Sequence, residues 1–360
     1  MFDIHRQRIN GIRKALAAQK ADGIIITSLI NIRYLTGYTG SSGLLWISKR
    51  QAVFFTDFRY QEQVKREVKG ARSVIIKKGI WEELFLNSDF KKAKRIGFEK
   101  NDLKYHQYES LQKELKNKKL LPLAGLPEEL RKIKDPDEIK KIARAAAIAD
   151  RAFSRIVKIV KPGMTELEVS YKLESIMKTL GASGPSFDII VGSGPNSALP
   201  HAQPSERKIR KGDFIVFDFG AVYRGYHSDM TRTVCVGQPS PRHLMVYNTV
   251  LKSQLAGLKA LKAGIKGQEA DGAARSVIDS AGYAKYFGHG LGHGVGLEVH
   301  EAPGVGSKSA NLLPANSVVT VEPGVYLPGW GGVRIEDLAA VTAKGCRILS
   351  KSPKELIVIK

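Results

Sequence analysis

At 360 residues the chain exceeds what one hydrophobic core usually supports, so its length points to two domains, and no run of 18 apolar residues exists to span a bilayer. Its two cysteines, Cys235 and Cys346, each lie in an apolar β-like run, which excludes a disulfide framework and a C-x-x-C metal site and fits a reducing cytoplasm. A net charge of +22 invites a nucleic-acid partner, yet the excess is densest in residues 1–126, with 25 Lys+Arg against 12 Asp+Glu, and no aromatic-interleaved RNA motif or C2H2 spacing accompanies it. It reads as a solvated basic surface, with neither a specific nucleic-acid partner nor a membrane.

The opening residues 1–20 form an amphipathic helical pattern, with Ile9, Ile12 and Leu16 on one face and Arg6, Arg8, Arg13 and Lys14 interrupting any apolar run. That is the pattern of neither a signal peptide nor a membrane span. Residues 23–27 are a β-branched run of the buried-strand type, 44–47 and 52–56 read as strands joined by Ser48-Lys49-Arg50, and 57–68 as a helix. Strands over 73–76 and 96–98 and an amphipathic helix over 103–115 complete a small α/β domain. The segment 31–43, with Gly37, Gly40 and Gly43, reads as a loop or turn. Two prolines and a glycine in 120–127 place the domain boundary there, giving domains 1–126 and 127–360.

The second domain opens with Asp135-Pro136-Asp137-Glu138, a helix start with acids in the first turn, and apolar spacing carries that helix to about residue 160. Thr165 and Glu168 have the spacing of a capping box, opening a helix that Gly181 ends. A strand over 188–191 and a loop over 192–204 carrying His201 follow.

Two strand pairs then each present two carboxylates. Residues 215–220 alternate with Asp218 on one face; a reversal centred on Tyr223 and Arg224 places Asp229 directly opposite it, with Cβ atoms about 5 Å apart. A reversal near Gly329 likewise places Glu322 across from Glu336. Acids in such hydrophobic strands cost several kcal/mol as unpaired charges, so a compensating cation is the better account. Between the pairs runs Phe287-Gly288-His289-Gly290-Leu291-Gly292-His293-Gly294, continuing to His300-Glu301. Its glycines permit positive φ and let the backbone pass close to whatever the imidazoles hold, and no frame of it reads G-x-G-x-x-G. Four carboxylates with one imidazole and no thiolate make a hard, oxygen-rich site. It suits two divalent ions about 3.5 to 4 Å apart, manganese or cobalt before copper, with zinc admitted.

Asp218 with Asp229, the His289–His293 run ending in His300-Glu301, Thr320-Val321-Glu322-Pro323-Gly324 and Arg334-Ile335-Glu336-Asp337 together resemble the pita-bread metallopeptidases, in particular their proline-specific branch, the Xaa-Pro dipeptidases (prolidases) and Xaa-Pro aminopeptidases. The resemblance covers nearly the whole chain. It implies an α/β creatinase-like N-terminal domain followed by an α+β pita-bread catalytic domain. It also implies two divalent metal ions per chain, Mn²⁺ favoured and Co²⁺ or Zn²⁺ admitted: Asp218 and Asp229 on one ion, His293, Glu322 and Glu336 on the other, Asp229 and Glu336 bridging. Glu322 takes a proton from the bridging hydroxide and returns it to the leaving nitrogen, His300 meets the scissile carbonyl, His201 positions substrate, and Arg334 is the active-site arginine. His289 and Phe187 follow as a supporting histidine and a pocket wall.

The implied substrate is a peptide with proline in second position, and the implied assembly a homodimer whose access loop comes from near Tyr38–Ser42. The chain is short for the family, which favours dipeptidase or dual activity over aminopeptidase action on longer peptides alone. Metal-free creatinase-like hydrolysis, or an inactive basic relative binding RNA or protein, should have lost ligands, and none is lost. Methionine aminopeptidase usually lacks so large an N-terminal domain.

Overall fold

The structure, a computed structural model, describes residues 3–360. It divides into two compact units, Met1–Arg131 and Lys132–Lys360, with the helix Leu126–Arg131 belonging to the first. The opening helix runs Ile4–Ala18 and buries Ile9, Ile12 and Leu16 as expected; residues 1 and 2 lie outside the described residues.

In the first unit, β1 (Gly23–Ile26), β2 (Leu44–Ser48), β3 (Ala52–Thr56), β4 (Arg72–Ile75), β5 (Arg95–Glu99) and β6 (Lys119–Leu123) form one sheet in the order β4-β3-β2-β1-β5-β6. Strand β1 lies between an antiparallel β2 and a parallel β5 and is buried throughout, which is why its isoleucines run continuously instead of alternating. Two segments depart from the sequence reading. Residues 31–43 begin inside a helix, Leu29–Thr36, capped by Ser28 and stopped by Gly37 at φ 85°. The glycine cluster beyond it obscured a helix that buries Asn31, Ile32 and Leu35. Pro122 lies in β6 and not in a linker; β6 is an edge strand, where a missing N–H costs no ladder bond. Tyr38 is buried, its hydroxyl donating to Ser42 O at 2.9 Å.

The strands of the second unit are β7 (Gly184–Pro185), β8 (Ile190–Ser193), β9 (Phe214–Phe219), β10 (Ala221–Tyr223), β11 (Tyr226–His227), β12 (Met230–Val236) and β13 (Gly292–Gly294). Then come β14 (Glu301–Val305), β15 (Val318–Val321), β16 (Gly324–Leu327), β17 (Gly331–Arg334), β18 (Asp337–Val341), β19 (Cys346–Ile348) and β20 (Ile357–Ile359). Two helix pairs each bury one of the acid-bearing strand pairs. The helices Pro136–Ile156 and Glu166–Thr179 open on the expected caps, Asp135 and the Thr165/Glu168 box. Their Phe153, Leu173 and Met177 pack on Phe217 and Val234 of the sheet β20-β12-β9-β8. The helices Pro241–Ala260 and Gly267–Ser280 pack Val250 and Ala274 on Val319, Val333 and Ala339. Each such side chain contributes about 1.5 to 3 kcal/mol on full burial if it is Val, Leu, Phe or Met, so the strands that carry the acids are fixed from behind by apolar packing. No helix among the described residues is long and apolar enough to cross a membrane.

Candidate metal centre

The first carboxylate pair does not sit in the register expected of it. Asp218 of β9 lies opposite Thr231, not Asp229, because the reversal centres on Arg224 and Gly225, with Tyr223 opposite Tyr226. Both turn residues have positive φ, 50° and 76°, the conformation of a tight type I′ hairpin. Strand β10 has by then left for another sheet, and Gly220 marks the parting: a Cβ there would lie 1.8 Å from Ser228 O. Since the displacement is by two residues, side-chain parity is preserved, and Asp229 reaches Asp218 on the diagonal. The second pair keeps its expected register, Val321 opposite Asp337 and Gly324 opposite Arg334. Its two ladders belong to different sheets, and Glu322 and Glu336 face each other where those sheets separate.

Ligand oxygens of Asp218, Asp229 and Glu336 lie within 4.8 Å of one another. His293, on β13, brings Nε2 to 3.3 Å from Glu322 Oε1 and 3.6 Å from Asp229 Oδ2. Its Nδ1 faces Gly294 O at 3.1 Å, which orients Nε2 toward the acids. The run's glycines play a different part from the one expected. Among Gly288, Gly290, Gly292, Gly294 and Gly296 none has positive φ. Gly292 and Gly294 instead let neighbouring backbone close in, since a Cβ would lie 2.1 Å from Thr320 O or 2.5 Å from Ala302 O.

Burial, with Glu336, Asp218 and Glu322 nearby, holds Asp229 well above the usual carboxylate range, and burial with Glu322 and Asp218 does the same to Glu336. Burial also raises Asp218, against the opposing pull of Arg334. For Glu322 burial works upward too, but the contact with His293 outweighs it and the net shift is down. Glu336 accepts from Thr231 Oγ1 at 2.7 Å through Oε2, while its buried Oε1 has no hydrogen-bond partner. Buried carboxylate oxygens rarely go unpaired, and a converging set of four acids and one imidazole is a donor set that a hard divalent cation fits.

Asp218, Asp229, His293, Glu322 and Glu336 line one cavity of about 780 Å³, together with Phe187, His201, His289, His300, Tyr326 and Arg334. The His300 ring lies 4.2 Å from that of His293. His289 contacts Tyr326 Oη at 2.9 Å. Arg334 is buried and committed: Nε donates to Thr231 Oγ1 at 3.0 Å, Nη1 to Tyr326 Oη at 2.8 Å and Pro200 O at 3.2 Å, and Nη2 to Asp218 Oδ2 at 2.5 Å. It therefore braces Asp218 and Tyr326. Thr231, Thr320 and Tyr326 are site residues the sequence reading missed. Thr231 could have been found two places beyond Asp229 on an alternating strand, whereas Tyr326 carries no local signal.

The family model of metallopeptidase family M24 matches residues 140–343, and that of the creatinase/prolidase N-terminal domain matches residues 8–133. The chain belongs to metallopeptidase family M24. A solved structure described as an Xaa-Pro dipeptidase from Bacillus anthracis is similar to it with a TM-score of 0.96 and 45% identity, covering 98% of this chain and 99% of that one. The Xaa-Pro dipeptidase of Pyrococcus horikoshii is 37% identical over 99% of this chain and 100% of its own length. The X-Pro aminopeptidase structure from Thermotoga maritima MSB8 has a TM-score of 0.89 at 38% identity, covering 94% and 98%. This M24 chain is thus a metallopeptidase with a creatinase-type first unit and a pita-bread second unit, as its motifs implied.

Proposed function

We propose that this metallopeptidase hydrolyses the peptide bond preceding proline in Xaa-Pro dipeptides and Xaa-Pro-initiated peptides, using two divalent ions held by Asp218, Asp229, His293, Glu322 and Glu336. The observation that carries the reading is the convergence of Asp218, Asp229 and Glu336 within 4.8 Å beside an imidazole, with one buried Glu336 oxygen lacking any protein partner. When bound, such ions supply Lewis acidity toward the scissile carbonyl and a water that is nucleophilic at neutral pH. The oxygen-rich set of four carboxylates with one imidazole favours Mn²⁺, with Co²⁺ or Zn²⁺ as substitutes.

Glu322 is the proton carrier. Thr320 Oγ1 donates to its Oε1 at 3.0 Å, the atom that faces His293 Nε2 and would hold an ion with it, which leaves Oε2 to take a proton from the nucleophile and pass it to the leaving nitrogen. Burial and the neighbouring His293 keep His300 below the ordinary imidazole range, hence neutral and able to donate a hydrogen bond to a developing oxyanion. His201, exposed at the cavity wall, positions the substrate. Arg334 fixes Asp218 from behind. Proline brings a ring and no N–H on the leaving side, and Phe187, Ile189 and Ile190 give the cavity an apolar wall for it. The reading includes a homodimer, which sedimentation at low micromolar concentration tests; a monomer alone contradicts it.

A second reading, an aminopeptidase acting only on longer peptides, is favoured by Arg334, whose guanidinium is spent on protein acceptors and is poorly placed to hold the C-terminal carboxylate of a dipeptide. The experiment compares kcat/KM on Ala-Pro, Ala-Pro-Ala and Ala-Ala with Mn²⁺ present. Cleavage of both proline substrates is expected; turnover confined to the tripeptide selects the second reading, and rapid cleavage of Ala-Ala alone refutes proline specificity.

A further inference from the structure

The loop that carries His300 spans residues 295–300 and has one glycine, Gly296. It leaves β13 at Gly294, passes Gly296, and re-enters a strand at Glu301. Main-chain bonds fix its departing side, Val295 N to Val318 O at 2.9 Å and His227 N to Gly296 O at 2.9 Å. Glycine there lowers the barrier to other paths, and strand pairing resumes only at Gly294 opposite Glu301, so the stretch between, which carries His300, takes its place from what holds Glu301. The Glu301 carboxylate lies so close under Gly296 that a Cβ on that residue would be 2.4 Å from Oε1, and Glu298 N approaches Oε2 at 3.5 Å.

The charge of Glu301 is met by a residue far away in sequence. Lys134 Nζ lies 2.7 Å from Glu301 Oε1, with the lysine side chain 1% exposed and the glutamate 5%. Lys134 is itself tethered, its N–H donating to Asn316 O at 3.0 Å, one residue before Asp135 caps the long helix Pro136–Ile156. The ammonium thus reaches from a fixed helix start into the loop adjacent to His300. Surface lysines are interchangeable; one this buried, on the residue next to a cavity histidine, is not.

We propose that Lys134 is a positioning residue for hydrolysis: through its buried ion pair with Glu301 it fixes the path of the loop and hence the place of the His300 ring against the substrate carbonyl. The inference rests on the role given to His300 above. Displacing a group in an active site by about 1 Å costs on the order of 100-fold, and that is the effect expected when the anchor is lost.

The test is a double-mutant cycle between Lys134 and His300 in the full chain reconstituted with Mn²⁺, read by kcat/KM on Ala-Pro together with bound-metal stoichiometry and circular dichroism. Lys134→Met is expected to lower kcat/KM about 100-fold with metal content and secondary structure kept, and to cost little further in a His300→Ala background. If Lys134→Met does not fold, Glu301→Gln reports the same coupling from the other partner. Losses that multiply independently in the cycle overturn the proposal and leave the reading of His300 standing. A His300→Ala enzyme with undiminished kcat/KM overturns that reading and the proposal with it.

Discussion

Burial raises Glu99 in the first unit, to about 7, and Glu336 in the second, well above the usual carboxylate range, yet the surroundings of the two carboxylates differ in kind. Glu99 ends β5 and is met by donors: Thr27 N at 2.7 Å and Ser28 N at 2.8 Å on Oε2, and Asn31 Nδ2 at 2.6 Å on Oε1. Asn31 is held in turn by Arg131 Nη1 at 3.0 Å. Glu336 meets one hydroxyl, from Thr231, and its carboxylate converges with those of Asp218 and Asp229. A buried carboxylate whose oxygens are saturated by the protein is a structural tie. One whose oxygens converge with those of other carboxylates is poised for a cation.

Substitution of the converging acids separates the two kinds of buried carboxylate most widely. Asp229→Asn or Glu336→Gln is expected to lower kcat by more than about 10³-fold, beyond the cost of a single preorganised donor, with the bound metal falling alongside. Glu322→Gln should lose about 10² to 10⁴-fold in kcat, the range of a general base, and an enzyme that kept its rate would remove Glu322 from that role. Glu99→Gln sharpens the contrast from the other side. It should destabilise the chain by about 1 to 3 kcal/mol in urea unfolding and leave kcat/KM per folded molecule unchanged.

A smaller effect concerns pH. Because the folded-state pKa of Glu336 is raised, its protonated form is the one that suits the fold; its contribution to stability is full below the ordinary carboxylate value and is lost as pH rises through the raised value. In chelated protein, the melting temperature of the wild type relative to Glu336→Gln should therefore fall as pH is raised from about 5. A difference that stays flat contradicts the repulsion argument. Smallest of all, Cys235→Ala should leave turnover unchanged, since Cys235 is a free buried thiol packed in the cluster with Phe214 and Val246 and does not line the cavity.

What could be read from sequence was what is local. Asp135 and the Thr165/Glu168 box cap their helices through neighbours within three residues, and the isoleucines of β1 announce a strand buried on both faces. The acids and His293 were legible because residues of that type are costly in apolar strands and glycine runs. The register of Asp218 was not, because it depends on Arg224 adopting positive φ, which asparagine or glycine would have advertised and arginine does not. The helix Leu29–Thr36 was hidden by the glycines that follow it. Lys134 looked like one basic residue among 57, and only the fold brings it to Glu301. Likewise the resemblance placed Arg334 in the active site, but its acceptors came into view only in the fold.

The central claim is that Asp218, Asp229, His293, Glu322 and Glu336 form a metal site on which hydrolysis depends. Elemental analysis of the purified protein, run beside Ala-Pro hydrolysis before chelation, after it and after Mn²⁺ or Co²⁺ is returned, tests this most directly. The account predicts two divalent ions per chain, loss of activity on their removal and recovery on their return. Protein free of metal that retains its full peptidase activity would contradict it.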